Sequence, residues 1–290
     1  MQIVRVGGVP EHFNLAWHLA IENNWFAERG IAIEFIDVPG GTGAMSQMLR
    51  NNEIDIAIAL TEGIVADILD GNPSKIVQFF VNSPLRWGVF TSENQSNINL
   101  KNIKGLKFAI SRFKSGSHLM AKVYANEKKH VLDESKSFVL VENIDGARTA
   151  LKNKNAQLFL WEKYTTQPLV ESGELLLLDE CKTPWPCFVL AANNKFIADE
   201  IATLKQVLDI INFSCHQLKE NKRAVSLISK RYSISKKDAE KWFSELEYSE
   251  SYEMKEKQWF EILDQLFEFK IISEIPKLNQ ICLINNLVRN

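Results

Sequence analysis

Strand-like apolar runs and helix-like amphipathic runs alternate from the first residues of this chain, and the alternation then starts again. In the first series, strands are expected at residues 3–6, 32–38, 55–60, 76–81 and 87–91, with helices at 14–28, 44–51 and 63–69. In the second, strands are expected at 106–110, 138–141, 157–161 and 175–178, with helices at 117–128, 146–152 and 164–171. A β-α-β-α-β order needs crossover helices, so each series predicts a parallel, right-handed doubly wound sheet. Beyond residue 199 the spacing is helical. Ile201, Leu204, Leu208 and Ile211 form one stripe, and Trp259, Phe260, Leu263, Leu266 and Phe267 form another, read as core. Ser235 with Asp238 is expected to form a capping box.

With 290 residues the chain can build one large domain or two lobes, each with its own core. A net charge of −2 offers no general attraction to nucleic acid or to an anionic membrane. The mildly basic stretch 219–241 also carries Glu220, Asp238 and Glu240 and is read as a solvated helical face. Cys181, Cys187, Cys215 and Cys282 are scattered without a CxxC, and the five histidines form no HExxH, so no structural metal, no cofactor and no disulfide framework are expected. MQIVRVGGVPE begins as a strand, without the features of a secretory leader, and no apolar run approaches a membrane span. The expectation is a cytoplasmic chain if Met1 is its native start, and a periplasmic one if a leader has been removed.

Several polar loops follow expected strands, and each carries two readings. Glu11, His12 and Asn14 follow the first strand; Asn14 serves as a helix cap or, with its neighbours, as a ligand contact. Gly41 and Thr42 lie in a Pro-Gly-Gly-Thr-Gly turn that lets a ligand approach backbone, although the Lys-Ser/Thr pair of a phosphate-binding loop is missing. Thr61 and Glu62 follow the third strand, as cap and favourable first-turn acid or as contacts. In KSGSH, Ser115, Gly116, Ser117 and His118 open a helix as an ordinary cap or as an anion site. Trp161 and Glu162 end a strand, as core or as a stacking wall with a polar anchor. Arg86 lies near one end of this region, and Trp185, held between two prolines, near the other.

The run VGGVPEHFNLAWHLAIENNWFAERGIAIEFIDVPGGTGAMSQMLRNNEIDIAIAL resembles the type II periplasmic-binding-protein fold, and more narrowly its sulfonate, taurine and thiamine-precursor binding group. IKGLKFAISRFKSGSHLMA resembles the opening of that family's second lobe. NAQLFLWEKYTTQPLVESGELLLLDECKTPWPCF is similar to a small subfamily, known in fungi and bacteria, that has this fold without a transport context. The resemblance covers residues 1–195. It implies an α/β chain of two lobes, each a mostly parallel sheet flanked by helices. Crossings would lie near 82–90 and 186–191, lobe one would take 1–84 plus 188–290, and lobe two 85–187, with ligand in the cleft. Ligands of open α/β sheets sit beyond the strands' carboxyl ends, where these polar loops lie.

The function implied is solute binding of the ABC-transporter type: hinge closure, without covalent chemistry, on a small organic molecule that is polar or anionic and flat or aromatic. The implied partners are that ligand and an ABC permease. One alternative is a biosynthetic enzyme on the same fold, of the thiamine-pyrimidine or menaquinone kind. The fungal thiamine-pyrimidine enzymes carry a run of adjacent cysteines that this chain lacks. In that case His12 or His118 with Glu11 or Glu62 would do the acid–base work. The other alternative is a ligand sensor.

Overall fold

The computed structural model of the protein describes residues 1–283. The chain forms strand β1 (Gln2–Gly8), helix α1 (Leu15–Glu22), β2 (Ile31–Asp37), α2 (Gly41–Arg50), β3 (Ile56–Leu60), α3 (Thr61–Leu69) and β4 (Ser74–Val81). It continues with β5 (Arg86–Ser92), β6 (Phe108–Ile110), α4 (Gly116–Glu127), β7 (Phe138–Leu140), α5 (Ile144–Lys152), β8 (Leu158–Glu162), α6 (Lys163–Glu171) and β9 (Leu175–Lys182). Then come β10 (Phe188–Asn193), α7 (Asn194–Asp199), α8 (Ile201–Glu220), α9 (Ala224–Tyr232), α10 (Lys236–Glu245), α11 (Glu256–Glu268) and α12 (Leu278–Ile281). Two compact units result. Unit 1 takes Met1–Ser83 and the described residues from Trp185 onward; unit 2 is Pro84–Pro184. Residues 185–187, assigned to lobe two from the sequence, thus group with unit 1.

Unit 1 holds a five-stranded sheet in the order β2-β1-β3-β10-β4, and unit 2 one in the order β7-β6-β8-β5-β9. Each sheet is mostly parallel, as the resemblance implies, with one reversed strand that the β-α-β order alone does not predict. β10 runs antiparallel to both its neighbours, and so does β5. The other four strands of each sheet point the same way. β5 and β10 are the strands with which the chain enters each unit. Each follows a short link from the other unit's sheet, β4 to β5 and β9 to β10.

In unit 1, Val4, Val6, Ile56 and Ile58 of the central strands are buried, as are Trp17 and Phe26, whose rings stack at 5.9 Å. α8 adds the stripe Leu204, Val207, Leu208, Ile211, Cys215 and Leu218. In unit 2, Phe90, Ala109, Phe159, Ala147 and Leu151 make a core between the sheet and α5. At about 25 cal/mol per Å² of apolar surface, these faces supply the main driving force for each unit.

Three local expectations need correction. The helix expected over 14–28 stops at Glu22: Asn24 takes the left-handed φ of 60°, which Asn tolerates, and a short 3-10 turn at Ala27–Arg29 follows. Phe260 and Phe267, expected in the core, are 51% and 47% exposed, because two residues seven apart share the outer face of α11 while Trp259, Leu263 and Leu266 point inward. Ser235 caps α10 by accepting from the Asp238 amide at 3.1 Å, but its hydroxyl donates to the Asp238 carboxylate at 2.6 Å, so the box is not reciprocal.

Lys219 also departs from a solvated face. Its ammonium donates to the carbonyls of Phe243 and Leu246 and lies over the Phe243 ring.

Candidate functional site

Four strands of each sheet end at one edge, and helices begin there: α2 and α3 in unit 1, α4 and α6 in unit 2. The residues selected from the sequence sit at these two edges.

In unit 1, β1 ends at Gly8. A side chain there would meet Asn14 Nδ2 at 2.7 Å and Phe35 Cζ at 2.8 Å, so glycine leaves room for both side chains. Asn14 does not cap α1; its Nδ2 donates to the Val9 carbonyl at 2.6 Å, and its Oδ1 is buried with no partner among the described residues. His12 is fully buried, stacked on Phe13 at 4.7 Å and edge-on to Trp242 at 4.3 Å. Burial lowers its pKa to about 3, so the ring is neutral. Glu11, half-buried, precedes it in extended backbone. Gly41 takes the left-handed φ of 65° at the start of α2, and Thr42 Oγ1 accepts from the Leu60 amide at 2.9 Å, tying that turn to the end of β3.

Thr61 and Glu62 open α3. The Thr61 amide donates to the Cys187 carbonyl at 3.1 Å, and its hydroxyl to the Pro186 carbonyl at 2.6 Å. Glu62 Oε2 accepts from Trp185 Nε1 at 2.8 Å. Thr61 and Glu62, read as one loop, and Trp185, read at a distant one, therefore meet, and the first two bond the segment 185–187. Glu62 is fully buried, and burial raises its pKa to about 7 against the opposing effect of its backbone and Trp185 hydrogen bonds.

In unit 2, Ser115 is the N-cap of α4, its hydroxyl accepting from the His118 amide at 3.4 Å. Ser117 Oγ accepts from the Ser111 amide at 3.0 Å and contacts Ser115 Oγ at 3.1 Å, closing the loop from β6. His118 was expected to offer a ligand a hydrogen bond, and the structure engages both its ring nitrogens. The Lys114 amide donates to Nδ1 at 3.0 Å, which places the proton on Nε2, facing Glu134 Oε2 at 3.0 Å. Burial holds its pKa below the usual value despite Glu134. Gly116 supplies the first helical residue. Replacing Ser115 by alanine is expected to cost about 1 kcal/mol, seen as a lower melting temperature, as for any N-cap.

Arg86 opens β5 and donates to Glu180 Oε2 at 2.6 Å; the Lys163 ammonium binds the other oxygen of the same carboxylate. Burial raises the Glu180 pKa, but the hydrogen bonds and charges of Lys163 and Arg86 together outweigh it, for a net decrease. Trp161 is half-buried, its ring stacked on Phe159 at 5.2 Å against the core. Glu162 is buried and caps α6: Oε2 accepts from the Thr165 amide at 2.6 Å, while Oε1 has no partner among the described residues. Burial raises its pKa, opposed by the amides of the helix start. Directly across the strand pair stands Trp87, buried, with its Nε1 also without a partner among the described residues.

Sequence reasoning missed Glu180 and Glu134, and it placed Trp87 beside Arg86 and Lys163 beside Glu162 without giving either a role. Glu180 had a signal, as an acid at the end of the apolar strand LLLLDECK. All four cysteines are buried and unbridged, and no cluster of metal-ligating side chains occurs among the described residues. No helix among them is long and apolar enough to cross a membrane.

Residues 87–181 match the model of the Ca3427-like PBP family. No curated protein sequence matches the chain. The Candida albicans CA3427 product, described as defining a new family with the generic periplasmic binding protein fold, superposes with a TM-score of 0.89 at 26% identity, covering 100% of this chain and 99% of that one. The ligand-binding component of an ABC-type import system from Staphylococcus aureus, with zinc bound, gives 0.76 at 13% identity over 97% and 96% of the two chains. The alkanesulfonate-binding protein SsuA from Xanthomonas axonopodis pv. citri, bound to MOPS, gives 0.75 at 12% identity over 98% and 96%. The full-length agreement with CA3427 leads to one conclusion: the chain has the two-lobe type II periplasmic-binding-protein fold, and its residues 87–181 are similar to the Ca3427-like PBP family.

Proposed function

We propose that the protein is a solute-binding protein that takes up a small polar organic molecule reversibly, without covalent chemistry. One observation carries this reading. At the carboxyl edge of unit 2, the indole N–H of Trp87 and Oε1 of Glu162 are cross-strand neighbours, both buried and both without a hydrogen-bond partner among the described residues. Buried polar groups are nearly always paired, and an unpaired donor beside an unpaired carboxyl oxygen is a pair of positions for a ligand to complete. The helix starts of α4 and α6 at the same edge favour a negatively charged or acceptor group on that ligand.

The relatives support a binding role, since one is bound to an alkanesulfonate-like buffer molecule and another is a component of an import system. An import permease is the partner class under this reading. Enzymatic acid–base work by the histidines finds less support, because His12 is packed neutral among aromatic rings and His118 is engaged at both nitrogens.

A thermal-shift panel of small organic acids, sulfonates including MOPS, and amides tests the proposal. A binder raises the melting temperature progressively with its concentration, as ligand linked to the folded state must. Glu162→Ala is expected to weaken that response about tenfold or more in affinity, the worth of one charge-assisted bond. A response unchanged in Glu162→Ala would remove this residue from the site.

A further inference from the structure

The chain leaves unit 2 at Pro184 and re-enters unit 1 through Trp185, Pro186 and Cys187 before starting β10. Two consecutive residues of α3 hold all three. Thr61 binds the carbonyls of Cys187 and Pro186, and Glu62 takes the indole N–H of Trp185. The two Thr61 bonds are indifferent to pH. The third ends on a fully buried carboxyl whose second oxygen has no partner among the described residues.

Among the described residues, no charge compensates that carboxyl. On α3 the other ionisable residue is Asp67, more than a turn farther along and paired with Arg50 of α2. β3, β10 and α12, which pack on α3, carry no ionisable side chain. The Cys187 thiol lies on the bonded segment itself, and Lys270 follows Phe269, whose ring meets Trp185 edge-on at 6.1 Å. A neutral carboxyl accepts the indole bond at little cost. A carboxylate in the same place has the Trp185 indole and its own backbone amide as donors, too few to offset its lost hydration, and reaching water becomes favourable.

We propose that the Thr61–Glu62 turn is a proton-operated clasp on residues 185–187, closed while the Glu62 carboxyl is neutral and loosened when it ionises. Ionisation releases a proton to solvent, turns the carboxylate away from the indole, and leaves the segment on the two Thr61 bonds. Burial places this transition near neutral pH, within the range where a small change in conditions operates it.

Hydrogen exchange read by mass spectrometry on the full chain, at about pH 5.5 and about pH 8.5 and corrected for intrinsic exchange rates, tests the clasp. In the wild type, peptides spanning 185–190 are expected to lose about tenfold or more of their protection at the higher pH, with peptides of β6 and α4 unchanged. Glu62→Gln keeps an acceptor for the indole and cannot ionise, so its protection over 185–190 should stay high at both pH values. Trp185→Phe keeps most of the packing and removes the donor, so its segment should be loosened already at pH 5.5. Equal wild-type protection at both pH values overturns the proposal. So does a pH-dependent loss retained in Glu62→Gln, or a loss shared equally by unit 2.

Discussion

Glu180→Ala is expected to destabilise the protein by about 2 kcal/mol, between the scale of an exposed ion pair and that of a buried one, since the Glu180 side chain is 30% exposed. Glu180 sits on β9 between two cations, Arg86 at the start of β5 and Lys163 at the start of α6. The Lys163 side chain is only 8% exposed, so its ammonium depends on that carboxylate for its solvation. The loss should fall mainly on the edge where β5, β9 and α6 meet. Glu180→Gln keeps oxygen and shape and removes the charge, and it should cost roughly half as much. Chemical denaturation followed by tryptophan fluorescence measures both. A loss below about 1 kcal/mol for the alanine variant would show that the grouping adds nothing beyond an exposed pair.

Glu62→Gln should do the reverse and stabilise the protein above neutral pH. The folded-state pKa of Glu62 lies near 7, above its ordinary 4.5, so the folded state binds the proton more tightly than the unfolded one. The stability linked to that proton is fully present below about 4.5, declines as pH rises, and is gone above about 7. Glutamine does not titrate. The variant should match the wild type at acid pH and exceed it at about pH 8 by on the order of 3 kcal/mol, from 1.36 kcal/mol per pKa unit. Denaturation at the two pH values decides it; parallel curves for variant and wild type would mean that Glu62 is ionised in the folded state throughout.

The elements were legible because apolar periodicity is a local signal. Val4 and Val6 alternate on β1, Leu204, Leu208 and Ile211 recur on α8, and both patterns report burial directly. Direction within a sheet is not local. β5 and β10 are as apolar as their parallel neighbours, so nothing in their composition marks them as antiparallel. The inner and outer faces of α11 were not separable either, since Phe260 and Phe267 are as apolar as the residues that face inward.

The site shows the same division. Polar residues at the ends of apolar strands, such as Glu62 and Glu162, stood out as departures from the strand pattern. Their partners did not. Trp185 is 123 positions from Glu62, and Glu180 is 94 from Arg86. Spacing within one element cannot pair residues brought together by topology, and so Trp185 and Glu62 were assigned to a ligand rather than to each other. In KSGSH the short-range reading held for Ser115, which caps α4, whereas the engagement of His118 depends on Glu134 in the following loop.

The central claim is reversible binding of a small polar molecule, and native mass spectrometry of the freshly purified full chain tests it most directly. The account predicts a fraction of the protein carrying one small organic molecule, released chemically unchanged on denaturation and rebound when added back, with Glu162→Ala isolated empty. A co-purified molecule that the protein converts to a product on incubation, or an equal load on Glu162→Ala, would contradict it.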